Sequence, residues 1–131
     1  MSWTASWRPC TTRPLRAPTP GIWRSLSRHS GKPRSVVVVS REVLNRGDYI
    51  VAVPFTSAKL ETRRTLRNCV PFRAGEFGLD KDCVAQAEAT TLLHKSELNV
   101  DRGAIGTLDA ESMRALIRAI GYVISSECEP E

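Results

Sequence analysis

The sequence of 131 residues has no acidic side chain before Glu42, no C-x-x-C pair and no long hydrophobic run. Its longest aliphatic block, Val36 to Val39, falls far short of the roughly 18–20 residues a membrane-crossing helix needs, so a spanning protein is excluded. The four cysteines, Cys10, Cys69, Cys83 and Cys128, have no histidine at ligand spacing, and no zinc site is expected from them. They read as reduced, structural thiols in a cytosolic chain, with Cys69 and Cys83 serving as small hydrophobes in strand-like stretches. Also missing are a glycine-rich phosphate loop, H-E-x-x-H, G-x-S-x-G and a DNA-binding zinc finger. Conventional nucleotide and metal enzymes are therefore poor readings, and neither metal nor cofactor is expected.

What is present, 41% hydrophobic and 25% charged residues, describes one domain able to build a single core without staples. The formal net charge of +5 is unevenly placed: residues 1–40 carry +7 and residues 41–131 carry −2. A basic arm attracts polyanions by counterion release whatever their sequence, although a solvated tail without a partner explains the same charges. Residues 1–20 hold two Trp, four Pro and three Arg with no period, and read as a disordered basic lead-in. The prolines interrupt the amphipathic helix of a transit peptide, and a secretory signal would need an apolar segment that is absent. The expected organisation is a lead-in over 1–20, a domain over 21–125 and an acidic tail over 126–131.

Short strands separated by turn chemistry are expected over Ile22–Leu26, Ser35–Ser40, Tyr49–Phe55, Leu66–Phe72, Cys83–Ala87 and Ala104–Leu108. Turns fall at Asn45–Asp48 and Ala74–Asp80, a polar basic loop over Ser57–Arg64, and one helical turn over Lys95–Leu98. One helix is clear: Asp109 suits its N-cap, and Met113, Leu116, Ile117, Ile120 and Ile124 form a single apolar stripe. That stripe faces either its own sheet, the commoner case, or a partner. The fold class is mainly β, a small antiparallel barrel with a C-terminal helix.

Arg34 at a strand start, Thr56 and Ser57 at a strand end, and Glu88 just after another strand are expected to meet at one rim. Guanidinium donors, neutral hydroxyls and a carboxylate that accepts a proton suit a phosphodiester. Each member also has an ordinary reading, as loop cation, strand-end hydroxyl or solvent-facing carboxylate, and composition alone leaves function undecided.

Four segments in order carry a resemblance: Gly31-Lys32-Pro33-Arg34-Ser35 with the valines after it, Leu44-Asn45-Arg46-Gly47, Val53-Pro54-Phe55-Thr56-Ser57, and Gly78-Leu79-Asp80-Lys81-Asp82-Cys83-Val84. Together with Gly106-Thr107-Leu108-Asp109 and the following helix, they resemble the PemK/MazF family of toxins from bacterial type II toxin–antitoxin systems. The resemblance implies an SH3-like barrel, a homodimer, a cytoplasmic location and a metal-independent endoribonuclease, an mRNA interferase, selective for single-stranded RNA. It further implies a cognate antitoxin that wraps the toxin and blocks the RNA groove, and DNA binding together with that antitoxin.

Carried over by position, Arg34 and Thr56 match the family's arginine and threonine, and Glu88 stands where some members have a catalytic aspartate. His29 lies in a loop where some place a histidine, so Glu88 is the first and His29 the second candidate base. Lys32, Ser57, Lys59, Arg63, Arg64 and Gln86 are the candidate RNA contacts, whereas His94 reads as structural. Ser35 replaces a common proline, Gln86 and Thr91 replace arginines of some members, and Gly21-Ile22-Trp23 shortens the family's opening motif. The implied chemistry is attack of a ribose 2′-hydroxyl on its adjacent phosphate. Two alternatives remain: a gyrase inhibitor of the related CcdB kind, acting through the C-terminal helix, and an RNA-binding member with weakened catalysis.

Overall fold

The computed structural model describes residues 20–25, 34–98 and 103–124. The expected lead-in apart from Pro20, the acidic tail, His29 and Lys32 lie outside the described residues.

Branching at Cβ favours the pleated, half-crowded environment of a sheet. Accordingly Ser35–Val38 forms β2, which pairs antiparallel with β1 (Gly21–Arg24), placing Ile22 opposite Val37. Strand β3 (Tyr49–Thr56) is the centre of the sheet. Its Ala52 is opposite Val38 on one edge and Thr91 of β6 (Thr91–His94) on the other. Further along that second edge, Phe55 and Thr56 pair with Ala85 and Val84 of β5 (Cys83–Gln86), and β5 pairs in turn with β4 (Cys69–Phe72).

The strand path β1-β2-β3-β5-β4, with β6 attached to β3, is open, so the expected barrel is not closed. The outer edge of β1 is occupied instead by bridges from Ile22 to Gly106 and from Ser25 to Leu98. This explains why Ala104–Leu108, expected as a strand, makes only an isolated bridge. Gly106 is wedged so tightly that a Cβ there would lie 1.9 Å from the carbonyl oxygen of Phe77, and a regular paired strand has no room.

Core residues lie on both faces of the first three strands. Ile22, Val37 and Val53 join Phe55, Phe72, Leu79 and Leu116 on one side, and Trp23, Val36, Val38, Ile50 and Ala52 join Leu98 on the other. Burial on both faces is why the valines run continuously rather than alternating with polar residues. The helix α2 (Ala110–Ile124) starts as expected, with Asp109 Oδ1 accepting from the Ser112 N–H at 2.7 Å. Its apolar stripe is divided, however. Leu116 and Ala119 are buried, while Ile117 and Ile124 remain 58% and 77% exposed.

Two further expectations change, and one element is new. The Ser57–Arg64 loop contains a short helix, α1 (Leu60–Arg63); β4 begins only at Cys69, after a turn closed by the Cys69 N–H on the Leu66 carbonyl; and β6 forms where no element was expected. The Asn45 turn is as expected, with a buried Asn45 whose amide donates to the Ser40 carbonyl at 2.9 Å.

Candidate active site

Antiparallel pairing brings the start of β2 beside the end of β3. Val36 is opposite Pro54, so the register extended by two residues sets Arg34 against Thr56, whose other neighbour is Val84. Arg34 and Thr56 line one cavity of about 390 Å³, and Ser35, Ser57 and Ala58 continue its wall. Its cationic side chains also include Arg24 and Lys81, against a single carboxylate, Asp80; Phe55, Leu79 and Cys83 add apolar lining. Among the described residues none of these three cations forms an ion pair, leaving their charge available to an anion.

The backbone of Arg34 is anchored although its side chain is exposed. The Ser25 N–H donates to the Arg34 carbonyl at 2.7 Å, and the Ser25 hydroxyl donates to the same oxygen at 3.0 Å. Thr56 is fixed from the opposite side: its Oγ1 accepts from the Ala58 N–H at 3.2 Å and from Arg63 Nη1 at 3.3 Å. Arg63 thus turns onto the protein, and Arg64 lies 3.7 Å from Glu61 in an exposed pair. Lys59 is exposed in the turn before α1 and does not line the cavity.

Glu88 does not join this rim. Strand β5 runs opposite to β3, so moving from Val84 toward Glu88 leads back along β3 and away from Thr56. Gln86 alone is already about 7 Å from the Thr56 row, taking the usual strand rise, and Glu88 follows on a 3-10 turn. Both carboxylate oxygens are engaged there, with Asn68 Nδ2 donating to one at 2.6 Å and Gln86 Nε2 to the other at 3.0 Å. Next to Asn68, the Arg67 guanidinium stands 4.6 Å from the centre of the Tyr122 ring.

Sequence reasoning missed Arg24, Asp80 and Lys81 as cavity residues. The last two had a signal, since Gly78-Leu79-Asp80-Lys81 is one of the motif segments. That turn is fixed by contact of Phe77 and Gly78 with Ile105 and Gly106, which no local pattern announces.

The sequence model of PemK-like, MazF-like toxins of type II toxin–antitoxin systems matches residues 22–124. The chain belongs to this family. Solved structures agree: the Mycobacterium tuberculosis toxin MazF-mt6 aligns at 26% identity over 79% of this chain and 94% of its own, with a TM-score of 0.64. A mycobacterial endoribonuclease in complex with its cognate antitoxin aligns at 23% identity over 82% and 95% of the two chains, TM-score 0.65. Another mycobacterial endoribonuclease aligns at 22% over 84% and 93%, TM-score 0.65; these two are likenesses of fold. None of the curated protein sequences matches this chain.

Two departures of this PemK/MazF-type toxin can now be located. Gln86 donates to Glu88, and Thr91 is exposed at the start of β6, so neither faces the Arg34–Thr56 cavity. Cys69 and Cys83 are buried free thiols. Burial pushes both pKa values up, Cys83 to about 11 with help from Asp80 and Asp82, so the thiol at the cavity is no nucleophile near neutral pH. His94 sits away from the cavity, its Nδ1 2.8 Å from the Ser96 hydroxyl and its ring edge-on to Tyr49. Among the described residues no helix is long and apolar enough to cross a membrane.

Proposed function

We propose that this toxin is an endoribonuclease that cleaves single-stranded RNA at the Arg34–Thr56 cavity without a metal ion. The observation that carries the reading is the meeting of a guanidinium with no ion-pair partner among the described residues and a fixed hydroxyl, from two adjacent strand ends, at a cavity with a surplus of cations. Such a site suits a phosphodiester in an RNA backbone. Attack of the ribose 2′-oxygen on phosphorus forms the O2′–P bond and breaks the P–O5′ bond, giving a cyclic phosphate and a 5′-hydroxyl. The nucleophile is already tethered beside its target, which removes most of the entropic cost of bringing it there. Arg34 compensates charge on the phosphorane oxygens, and the Thr56 hydroxyl donates to them.

Lys81, Arg24 and Ser57 extend this surface along the RNA, and Lys32, two positions before Arg34 in the sequence, is a further candidate contact. Lys59 and Arg64 contribute general attraction rather than a directed bond, as exposed cations do. Glu88, held by Asn68 and Gln86, does not stand beside the scissile phosphate. His29, five positions before Arg34 in the sequence, is then the remaining candidate base, since imidazole is the side chain suited to proton transfer near neutral pH.

The same proposal includes a homodimer, a cytoplasmic site of action and a cognate antitoxin that covers the cavity. The family match and the exposed Ile117 and Ile124 on α2 support an assembled state, because paired apolar side chains on one helix face gain by being covered. Residues 21–125 make up the toxin domain in this reading, preceded by the basic lead-in and followed by the acidic tail.

The test is cleavage of a long single-stranded RNA by purified protein in excess EDTA, beside Arg34→Ala, with product ends mapped. Discrete cuts that vanish in the variant, and that fail on RNA carrying deoxyribose at the cut position, are expected. Cutting of the deoxy substrate sinks the 2′-hydroxyl chemistry. RNA binding by wild-type protein without any cut means a non-catalytic member.

A further inference from the structure

A threonine hydroxyl has two acceptor lone pairs and one donor hydrogen. At Thr56 both acceptor positions are taken, one by the Ala58 N–H and one by Arg63 Nη1, and no described residue accepts the remaining hydrogen. The same Nη1 donates its second hydrogen to the Ala58 carbonyl at 3.2 Å, so one guanidinium nitrogen closes both sides of the turn. The backbone is shaped for this. Lys59 adopts a left-handed conformation, φ 52°, that reverses the chain after β3, and the Arg63 N–H then bonds the Lys59 carbonyl at 3.0 Å. Helix α1 thereby carries Arg63 back over the end of the strand it left.

We propose that Arg63 is a positioning residue that makes the Thr56 hydroxyl a fixed, one-way donor to the scissile phosphate; this rests on the endoribonuclease reading. Two physical effects follow from the clamp. It removes the rotational freedom that an unrestrained hydroxyl would lose on reaching the transition state, which is where preorganised donors gain their advantage. It also polarises the O–H bond, because a hydroxyl that accepts from a cation is a stronger donor. The clamp excludes a second role as well: with its lone pairs engaged, Thr56 does not take the proton of the 2′-hydroxyl. The sequence-based expectation, in which Arg63 grips RNA directly, predicts different behaviour.

The test is a double-mutant cycle on the full chain, using a single-stranded RNA containing a mapped cut site. Arg63→Ala is expected to lower kcat by about 10- to 30-fold with KM changed less than about twofold, the cost of a misplaced donor. In a Thr56→Val background the same change should cost less than about twofold more. Affinity for RNA with deoxyribose at the cut position, and its dependence on salt, should be unchanged. Equal losses in both backgrounds overturn the proposal, as does weaker binding with a salt slope reduced by about one, the mark of a direct phosphate contact.

If Arg63→Ala does not fold, Arg63→Met keeps the stem and removes the donors. A readout independent of cleavage separates this proposal from the endoribonuclease reading: three-bond NMR couplings of Thr56 report its χ1 rotamer. One rotamer in the wild type and averaging in the Arg63 variant are expected. A single rotamer in both overturns the clamp even if RNA is cut, and averaging in the variant supports it even if no RNA is cut.

Discussion

The two ends of strand β5 offer opposite kinds of polar chemistry. At Cys83 the strand borders a cavity whose arginines and lysine have no ion-pair partner among the described residues. Just beyond Gln86 it carries Glu88, whose two oxygens already accept from Asn68 and Gln86. Charge that is uncompensated attracts a polyanion and responds to its chemistry, whereas a carboxylate with its hydrogen bonds already made has less to gain from a new partner. In the proposed reading the reacting phosphate lies at the first end, and the second end has an architectural role beneath α2.

The largest expected effect sharpens that contrast. Arg34→Ala should lower kcat/KM on single-stranded RNA by about a thousandfold, the scale for removing a charged group that compensates a developing oxyanion, with the melting temperature unchanged. Glu88→Gln should cost less than about threefold, because it retains one acceptor toward Asn68 or Gln86 and stands away from the cavity. Steady-state cleavage with both variants measures the difference; comparable losses would mean that the two ends act on one phosphate and would break the comparison.

A smaller effect separates chemistry from architecture at the cavity end itself. Gly106→Ala pushes a methyl group into the Phe77 carbonyl, at the base of the turn that presents Leu79, Asp80 and Lys81 to the cavity. Overpacking of this kind costs about 1–3 kcal/mol, a fall in melting temperature of about 5–15 °C. Calorimetry beside a cleavage assay should show stability and turnover falling together, unlike Arg34→Ala. Retained stability would mean that the segment around Gly106 relaxes freely and does not fix the turn.

How much of this was legible in the sequence depends on which physical scale set each position. Arg34 and Thr56 end strongly β-patterned segments, and adjacent antiparallel strands place such ends together, so their meeting could be read from pattern and pairing alone. Glu88 was legible as a strand-end carboxylate but not by location, because the direction of β5 against β3 decides which rim it reaches. Arg63 looked like one more loop cation; its inward turn depends on the left-handed Lys59, a conformation that lysine's identity does not announce. Strand β6 was hidden by shortness, four residues with two exposed apolar or hydroxyl side chains at its start and no buried run. The open sheet was likewise invisible, since it follows from Gly106 filling the β1 edge through contacts distant in sequence.

The smallest effect concerns the helix that covers the Glu88 end. Asp109 caps α2 through the Ser112 N–H, and that side-chain and backbone bonding holds its carboxyl below the ordinary carboxylate pKa. A depressed folded value means that the charged cap stabilises fully above the unfolded pKa of about 4 and that this stabilisation is lost as pH falls through the folded value. Asp109→Ala should therefore lower the melting temperature slightly at pH 7, and the gap between variant and wild type should close as the solution is acidified below pH 4. Because Asp109 itself lines no part of the cavity, and α2 packs chiefly on the 3-10 turn holding Glu88 and on β4, RNA cleavage at pH 7 should be unaltered. A gap that stays constant with pH would show that the lost contribution is packing, not the charged cap. A fall in cleavage without further loss of stability would show that the two ends of β5 are coupled through the sheet.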